Sequence, residues 1–272
     1  MITKKGWILE KKRAEKNHHR QPDPEKPPVV PQQSHHLITF PQGSRSALFL
    51  RREKRFRVEV ETEEGRMWIH TNNSGSMMGL LRPGAEVFIS PALRPGRKLP
   101  YTLELARVHG FWVGVNTSVP NRLLYAAWKT GLLPEADGYD SLRKEAVTGE
   151  SRLDALLQGP RGRLWVEAKN VTLVEDEVAA FPDAVTIRGQ KHIRELVTLA
   201  GNGDRVACFY LVQRPDAQCF APADYIDPDF ARLFWQGHDS GVEAWPYQAL
   251  VSPQGIRLGP RLPLAPREYN GL

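Results

Sequence analysis

Apolar positions follow two patterns along the chain. Between residues 37 and 112 they alternate with polar ones in short runs. In "RFRVEVETEEGRMWIH", Phe56, Val58 and Val60 alternate with Arg55, Arg57 and Glu59. The chain then turns at Glu64-Gly65 and resumes with Met67, Trp68 and Ile69, a hairpin pattern with Phe56 on the core side. "RPGAEVFISPAL" and "FWVGVN" add short strands between glycines and prolines. So many short strands predict a small barrel or sandwich, an OB-type β-barrel among the candidates.

From about 113 to 255 the period changes. "PNRLLYAAWKTGLL" places Leu123, Leu124, Ala127 and Trp128 at helical spacing, with Pro120 and Asn121 suited to its start and Gly131 to its stop. Strand-like "SLRKEAVTG", "SRLDALLQ" and "RLWVEAKNVTL" follow. "GQKHIRELVTLAGNG" is a second helix, with Ile193, Leu196, Val197 and Ala200 on one face, and "RVACFYLVQ" is the candidate central strand. A strand–helix–strand step of this kind can form a parallel crossover. Residues 1–36, basic and proline-rich, cannot bury enough apolar surface to offset their ordering entropy and read as a flexible arm. The end, "SPQGIRLGPRLPLAPREYNGL", reads as a strand followed by a frayed tail, with 256–272 set apart as the C-terminal tail. The fold class is therefore two-domain, α+β or α/β, with barrel boundaries at 37–112 and a mixed sheet flanked by helices over 113–255.

With 41% hydrophobic and 25% charged residues, the composition is that of a soluble globular chain. No apolar run nears the ~20 residues of a membrane span, and no apolar stretch follows the basic N-terminus. No membrane partner and a cytoplasmic location are expected. Cys208 and Cys219 make neither a disulfide framework nor a metal knuckle. The net charge of +6 is uneven, since residues 1–60 hold 14 Lys/Arg against 6 Asp/Glu. That asymmetry suits an anionic partner, nucleic acid first, or a solvated basic tail. His18, His19, His35 and His36 read as solvated pairs rather than metal ligands.

"SRLDALLQGPRGRLWVEAKNVTL" (151–173) reads as a hairpin, yet carries Asp154, Glu167 and Lys169 inside apolar runs. Glu167 and Lys169 share a strand face. If the 159–162 turn pairs Gln158 with Arg163, Asp154 falls opposite Glu167 and Arg152 opposite Lys169. A similar count from Gly149-Glu150 places Glu145 across from Asp154. Carboxylates this close need cations, protonation or a metal. Asp154 and Glu167 suit Mg²⁺ or Mn²⁺, which take oxygen ligands, and Lys169 could orient a water or stabilise transition-state charge. Asp on one strand and Glu-x-Lys on the next is the PD-(D/E)xK nuclease arrangement. A salt-bridged surface, with Glu167–Lys169 exposed and Asp154 on Arg152, is the competing reading. Trp165, on the face of Glu167, argues against full exposure.

The blocks "RREKRF" (51–56), "NSGSM" (73–77), "LPYTLEL" (99–105), "VNTSVPNRL" (115–123), "SRLD" (151–154), "VEAKNVTL" (166–173) and "FPDAVTIRGQKHIREL" (181–196) resemble, in order, the sugar fermentation stimulation protein A (SfsA) family. The resemblance covers roughly residues 45 to 260. It implies an N-terminal OB-like domain, a C-terminal PD-(D/E)xK nuclease-like domain, DNA binding, and a link to regulation of sugar (maltose) metabolism. It places the acidic strand position at Asp154, the E-x-K at Glu167 and Lys169, and the helix bordering the site at Gln190, Lys191 and His192. Three departures stand out: Asn72 where "H-x-P-N-[TS]-G" has Pro, Ala168 within E-x-K, and Ala155 after the Asp.

Three functions follow. One is a Mg²⁺- or Mn²⁺-dependent phosphodiesterase acting on DNA, with Asp154 and Glu167 as metal ligands, Lys169 and Gln190 in the catalytic set, and Glu145, Lys191 and His192 as further candidates. The second is a non-catalytic DNA-binding regulator on the same scaffold. The third is an RNA or single-strand binder. Arg51, Arg52, Lys54, Arg55 and Arg57 would contact phosphates, or form a solvated strand. "NNSGSMMG" is an anion nest or a plain turn. Trp68 and His70 read as a barrel-core Trp and a satisfied His, with base stacking the alternative. Lys191–Glu195 is a possible helix-surface pair, and Asp183 a site contributor or a turn residue. The oligomeric state is open, a homodimer included.

Overall fold

The computed structural model describes residues 37–267 apart from 76, 78, 94, 95 and 150. The expected arm at 1–36, with its histidine pairs, lies outside the described residues. Six strands form the first domain: β1 (Arg45–Glu53), β2 (Arg57–Thr62), β3 (Gly65–His70), β4 (Glu86–Pro91), β5 (Tyr101–Val108) and β6 (Phe111–Gly114). They run in the order β3-β2-β1-β4-β5-β6, and a parallel β3–β5 contact, His70 opposite Thr102, closes five of them into an OB barrel. Alternation sends Val58, Val60, Ile69, Val87, Ile89 and Leu103 inward.

Two expectations about this barrel fail. Lys54 and Arg55 take left-handed φ values of 49° and 60° and make the β1–β2 turn. The strand resumes only at Arg57, so Phe56 is not core but 44% exposed. Trp68 is not in the barrel core either. Ile69 takes the inward position, and Trp68 lies outside beneath the Arg51 and Arg57 guanidinium groups.

The second domain follows with α1 (Val119–Lys129), β7 (Ser141–Thr148), β8 (Ser151–Gly159), β9 (Gly162–Val171), β10 (Leu173–Glu175), β11 (Val178–Phe181), α2 (Ile187–Gly201), β12 (Arg205–Val212), β13 (Cys219–Pro222), α3 (Pro228–Asp239), β14 (Val242–Ser252) and β15 (Gly255–Arg261). Its main sheet has the order β15-β14-β12-β9-β8-β7, with β12 parallel to β9 and β14 and the flanking hairpins antiparallel. Strands β10, β11 and β13 form a small second sheet. β12 is the expected interior strand, buried from Val206 to Val212.

Each face of the sheet has its own core. On one, Leu164, Val166, Ala155 and Leu157 pack with Leu123, Leu124 and Ala127 of α1 and with Phe88 and Leu105 of the barrel. On the other, Trp165, Cys208 and Tyr210 pack with Ile193 and Leu196 of α2 and Phe230 and Phe234 of α3. Gly131, at φ 69°, terminates α1 where a left-handed residue is needed.

The strand expected near the C-terminus is present as β15, but the tail boundary at 256 is corrected. β15 adds an edge strand, Ile256 is fully buried against Ile38, and Leu264 bridges Phe220. Gly259 and Pro260 lie within this strand rather than marking an end of the fold. No helix among the described residues is long and apolar enough to cross a membrane.

Candidate active site

The turn at 159–162 sets the register counted from sequence, with Gln158 opposite Arg163 and Ala155 opposite Val166. The β8–β9 ladder stops at that last pair. One residue on, Asp154 Oδ2 accepts the Ala168 backbone N–H at 2.8 Å, and its Oδ1 accepts Asn121 Nδ2, from α1, at 2.6 Å. Burial raises the Asp154 carboxyl above its ordinary range, the nearby Glu167 charge adds to this, and the two hydrogen bonds and Lys169 oppose it.

Glu167 reaches toward α2, where it meets His192, and is 3% exposed. Its Oε1 accepts Lys169 Nζ at 2.6 Å and contacts His192 Nδ1. Burial would push the Glu167 carboxyl up. The Lys169 ammonium and the His192 hydrogen bond outweigh burial and hold it below the usual range. Its Oε2 is buried and has no hydrogen-bond partner among the described residues. A buried, ionised carboxylate with one unpartnered oxygen is costly unless something meets it. Glu167 and Lys169 are therefore not an exposed surface pair.

The remaining candidates separate. His192, buried on α2, joins Glu167, and its ring lies 3.5 Å from Lys169 Nζ. Gln190 is also buried but turns away, with Nε2 donating to Asp227 Oδ1 at 3.0 Å. Asp227 also accepts Thr186 N–H and Phe230 N–H, so Gln190 ties α2 to the N-terminal cap of α3. Lys191 is exposed on α2. Glu145 takes a φ of 50°, and the β7–β8 ladder skips it between Lys144↔Ala155 and Ala146↔Leu153. It is exposed and pairs with Arg152 at 3.4 Å. Arg152 faces Val147 and Glu145, not Lys169, so the counted row of three carboxylates is broken at β7. Among the described residues, no group of three or more His, Cys, Asp or Glu converges as a metal site.

Two clefts flank the hairpin. One, of about 330 Å³, is lined by Asn121, Arg122, Tyr125, Lys144, Glu145 and Asp154, with Lys144 Nζ 3.9 Å above the Tyr125 ring. The other, of about 340 Å³, lies between the barrel loop Asn73–Gly75 and residues 181–186, with Lys169 and Asp183 in its wall. An added Cβ at Gly75 would sit 3.0 Å from Asp183 Oδ2, so glycine lets the loop approach. Asn72 takes up the position where Pro was expected with bonds to Asn116 and Thr117. Asn121 was legible only as a helix-start residue. Nothing in the local sequence links it to Asp154, 33 residues away.

The basic stretch of β1 divides. Arg51 is ion-paired to Glu59 and Glu53. Arg52 donates to the carbonyls of Arg55, Asn73 and Gly75 and holds the groove loop in place. Lys54 and Arg55 sit in the turn, and Arg57 lies 4.5 Å from the Trp68 ring.

An OB barrel joined to a mixed sheet, with Asp154 on one hairpin strand and Glu167-x-Lys169 on the next, defines a two-domain protein with a nuclease-like second domain. Residues 50–115 match the SfsA N-terminal OB domain, and 118–255 match the sugar fermentation stimulation protein RE domain. The chain is 61% identical over 226 residues to the sugar fermentation stimulation protein homolog of Syntrophobacter fumaroxidans, covering 83% of this chain and 87% of that one. It is 54% identical over 232 residues to the homolog of Maridesulfovibrio salexigens, covering 84% and 97%. The structure of Pyrococcus furiosus SfsA in complex with Ca²⁺ superposes with a TM-score of 0.79 at 29% identity, over 86% of this chain and 100% of that chain. The chain belongs to the sugar fermentation stimulation protein (SfsA) family.

Proposed function

We propose that this protein is a divalent-metal-dependent phosphodiesterase acting on nucleic acid, DNA in the first instance. The observation that carries the reading is Glu167. Its Oε1 is saturated by Lys169 and His192, while its Oε2 is buried and unpartnered. Asp154, destabilised by burial and by the Glu167 charge, presents the second carboxylate. The donor set fits a hard cation. Two carboxylates of like charge, one with an unpartnered oxygen, suit Mg²⁺ or Mn²⁺ completed by water. The Ca²⁺ in the Pyrococcus furiosus relative supports the same class of ion.

Asp154 and Glu167 would hold the metal, which lowers the pKa of bound water and polarises a phosphoryl oxygen. Asn121 and the Ala168 N–H fix the Asp154 carboxylate. Lys169, anchored 2.6 Å from Glu167, places its amine where it can orient the attacking water or offset charge developing on phosphate. His192 orients Glu167 from behind. Gln190 acts through the α2–α3 packing rather than by touching Glu167.

The test is cleavage of single- and double-stranded DNA and RNA with Mg²⁺ or Mn²⁺, with Asp154→Ala and Lys169→Ala in parallel. Cleavage by the wild type and loss in both variants is expected. Binding without cleavage, unchanged in both variants, would instead favour a DNA-binding regulator on a nuclease scaffold.

A further inference from the structure

The outer face of β1–β3 has a property that the basic composition of this segment hides. Cross-strand register places Arg51, Glu59 and Trp68 in one row and Glu53, Arg57 and His70 in the next. Arg51 bonds Glu59 at 2.6 Å and Glu53 at 2.7 Å, so the two rows hold as many carboxylates as guanidinium groups. A charge-balanced face is poorly suited to tracking phosphates. Its distinguishing feature is aromatic. Phe56, 44% exposed at the β1–β2 turn, stacks on His70 with centroids 6.2 Å apart and planes 19° from parallel. Trp68 lies one row away beneath Arg51 and Arg57.

This face is tied to the groove that holds Lys169. Thr71 N–H donates to the Phe56 carbonyl at 3.1 Å. The Arg52 guanidinium joins the carbonyl of Arg55 to those of Asn73 and Gly75. Asn73 and Gly75 are in the groove wall opposite Asp183. The turn that displays Phe56 and the loop that borders the site are thus one hydrogen-bonded unit.

We propose that Phe56 and His70, with Trp68 beside them, form a stacking platform for a single nucleic-acid strand that continues into the Lys169 groove. This rests on the reading that the site acts on nucleic acid, and it narrows the substrate to one with unpaired bases next to the cleaved position. A ring exposed at a turn can meet the face of an unpaired base, whereas a duplex offers only backbone and groove edges. Base–aromatic stacking tolerates any base, so the platform reads strandedness rather than sequence.

The test is fluorescence anisotropy of the full chain with labelled oligothymidylate, oligouridylate and a duplex of equal length, alongside the cleavage assay. Expected is tighter binding of the single strands than of the duplex. Phe56→Ala should weaken single-strand binding about fivefold or more and leave the duplex unchanged. Trp68→Leu is a second variant, should Phe56→Ala perturb the turn. Single-strand binding unchanged in both variants, or a wild-type preference for duplex, would overturn the platform. A Phe56-dependent single-strand preference without cleavage would keep the platform and overturn the nuclease reading. Cleavage with Phe56 and Trp68 dispensable would do the reverse, and no binding of any probe would overturn both.

Discussion

Asp154 takes over a hydrogen bond that the sheet would otherwise make. Its Oδ2 accepts the Ala168 N–H at 2.8 Å, just past the last β8–β9 pair. The carboxylate thereby replaces a backbone partner just past the ladder and lines the α1 cleft, near enough to Glu167 for that charge to raise the Asp154 carboxyl.

Removing His192 should loosen the hold on Glu167. Burial pushes that carboxyl up, and Lys169 and His192 keep it below the ordinary range. A depressed folded pKa adds stability above the unfolded value that is lost as pH falls through the folded one. In His192→Ala that loss should begin at higher pH, with a cost of about 1–3 kcal/mol at neutral pH. Urea melts across pH check the stability. The acid limb of the cleavage profile should move up with it.

Glu104 has the opposite sign. It is 5% exposed, accepting Ser90 Oγ at 2.6 Å and Asn116 Nδ2 at 2.8 Å. Burial is the leading effect and raises its carboxyl, outweighing these two bonds and Arg122. The folded chain keeps this proton to higher pH than the unfolded chain does, so stability falls as pH rises through that window. Glu104→Gln retains a donor and an acceptor without the charge. Its melting temperature should exceed the wild type's at neutral pH, with the gap closing in acid.

The seam between barrel and sheet is tightest at Gly114. A Cβ there would overlap the Gln213 side chain, whose amide donates to Asn170 Oδ1 next to Lys169. Gly114→Ala should destabilise by about 1–3 kcal/mol through overpacking. Adding Gln213→Ala should recover part of that loss in the double variant, as measured by denaturant melts.

Arginines of β1 and cations of the α1 cleft should differ in salt dependence. Arg51 is held at hydrogen-bond distance by two carboxylates, whereas Arg122 lines the α1 cleft with Lys144. Arg122→Gln and Lys144→Gln should each lower the log–log salt slope of duplex binding by about 0.9, and Arg51→Gln should leave it unchanged. Anisotropy titrations at several salt concentrations decide this.

Much of the fold is legible from local physics. Alternation at Val58, Val60 and Ile69 marks barrel strands because a closed barrel has one dry side. The spacing of Leu123, Leu124 and Ala127 marks α1, and the short turn at 159–162 dictates the β8–β9 register as far as Ala155 opposite Val166. Where counting failed, a backbone conformation intervened. Left-handed residues at 54 and 55 exposed Phe56, and one at 145 took Glu145 out of the ladder. Edge pairing drew residues beyond 255 into the sheet.

The sequence by itself determined the two architectures and the family, and singled out Asp154, Glu167 and Lys169 as candidates, because periodicity, motifs and a short hairpin are local properties. Only the tertiary structure decided which neighbours reach them. It brought His192 to Glu167 and Asn121 to Asp154, sent Gln190 to Asp227, and neutralised Arg51. Those partners lie 25, 33, 37 and 8 residues apart along the chain. Which way a side chain turns at such a meeting depends on the packing of helices against the sheet and on competing hydrogen bonds, and neither has a local signal.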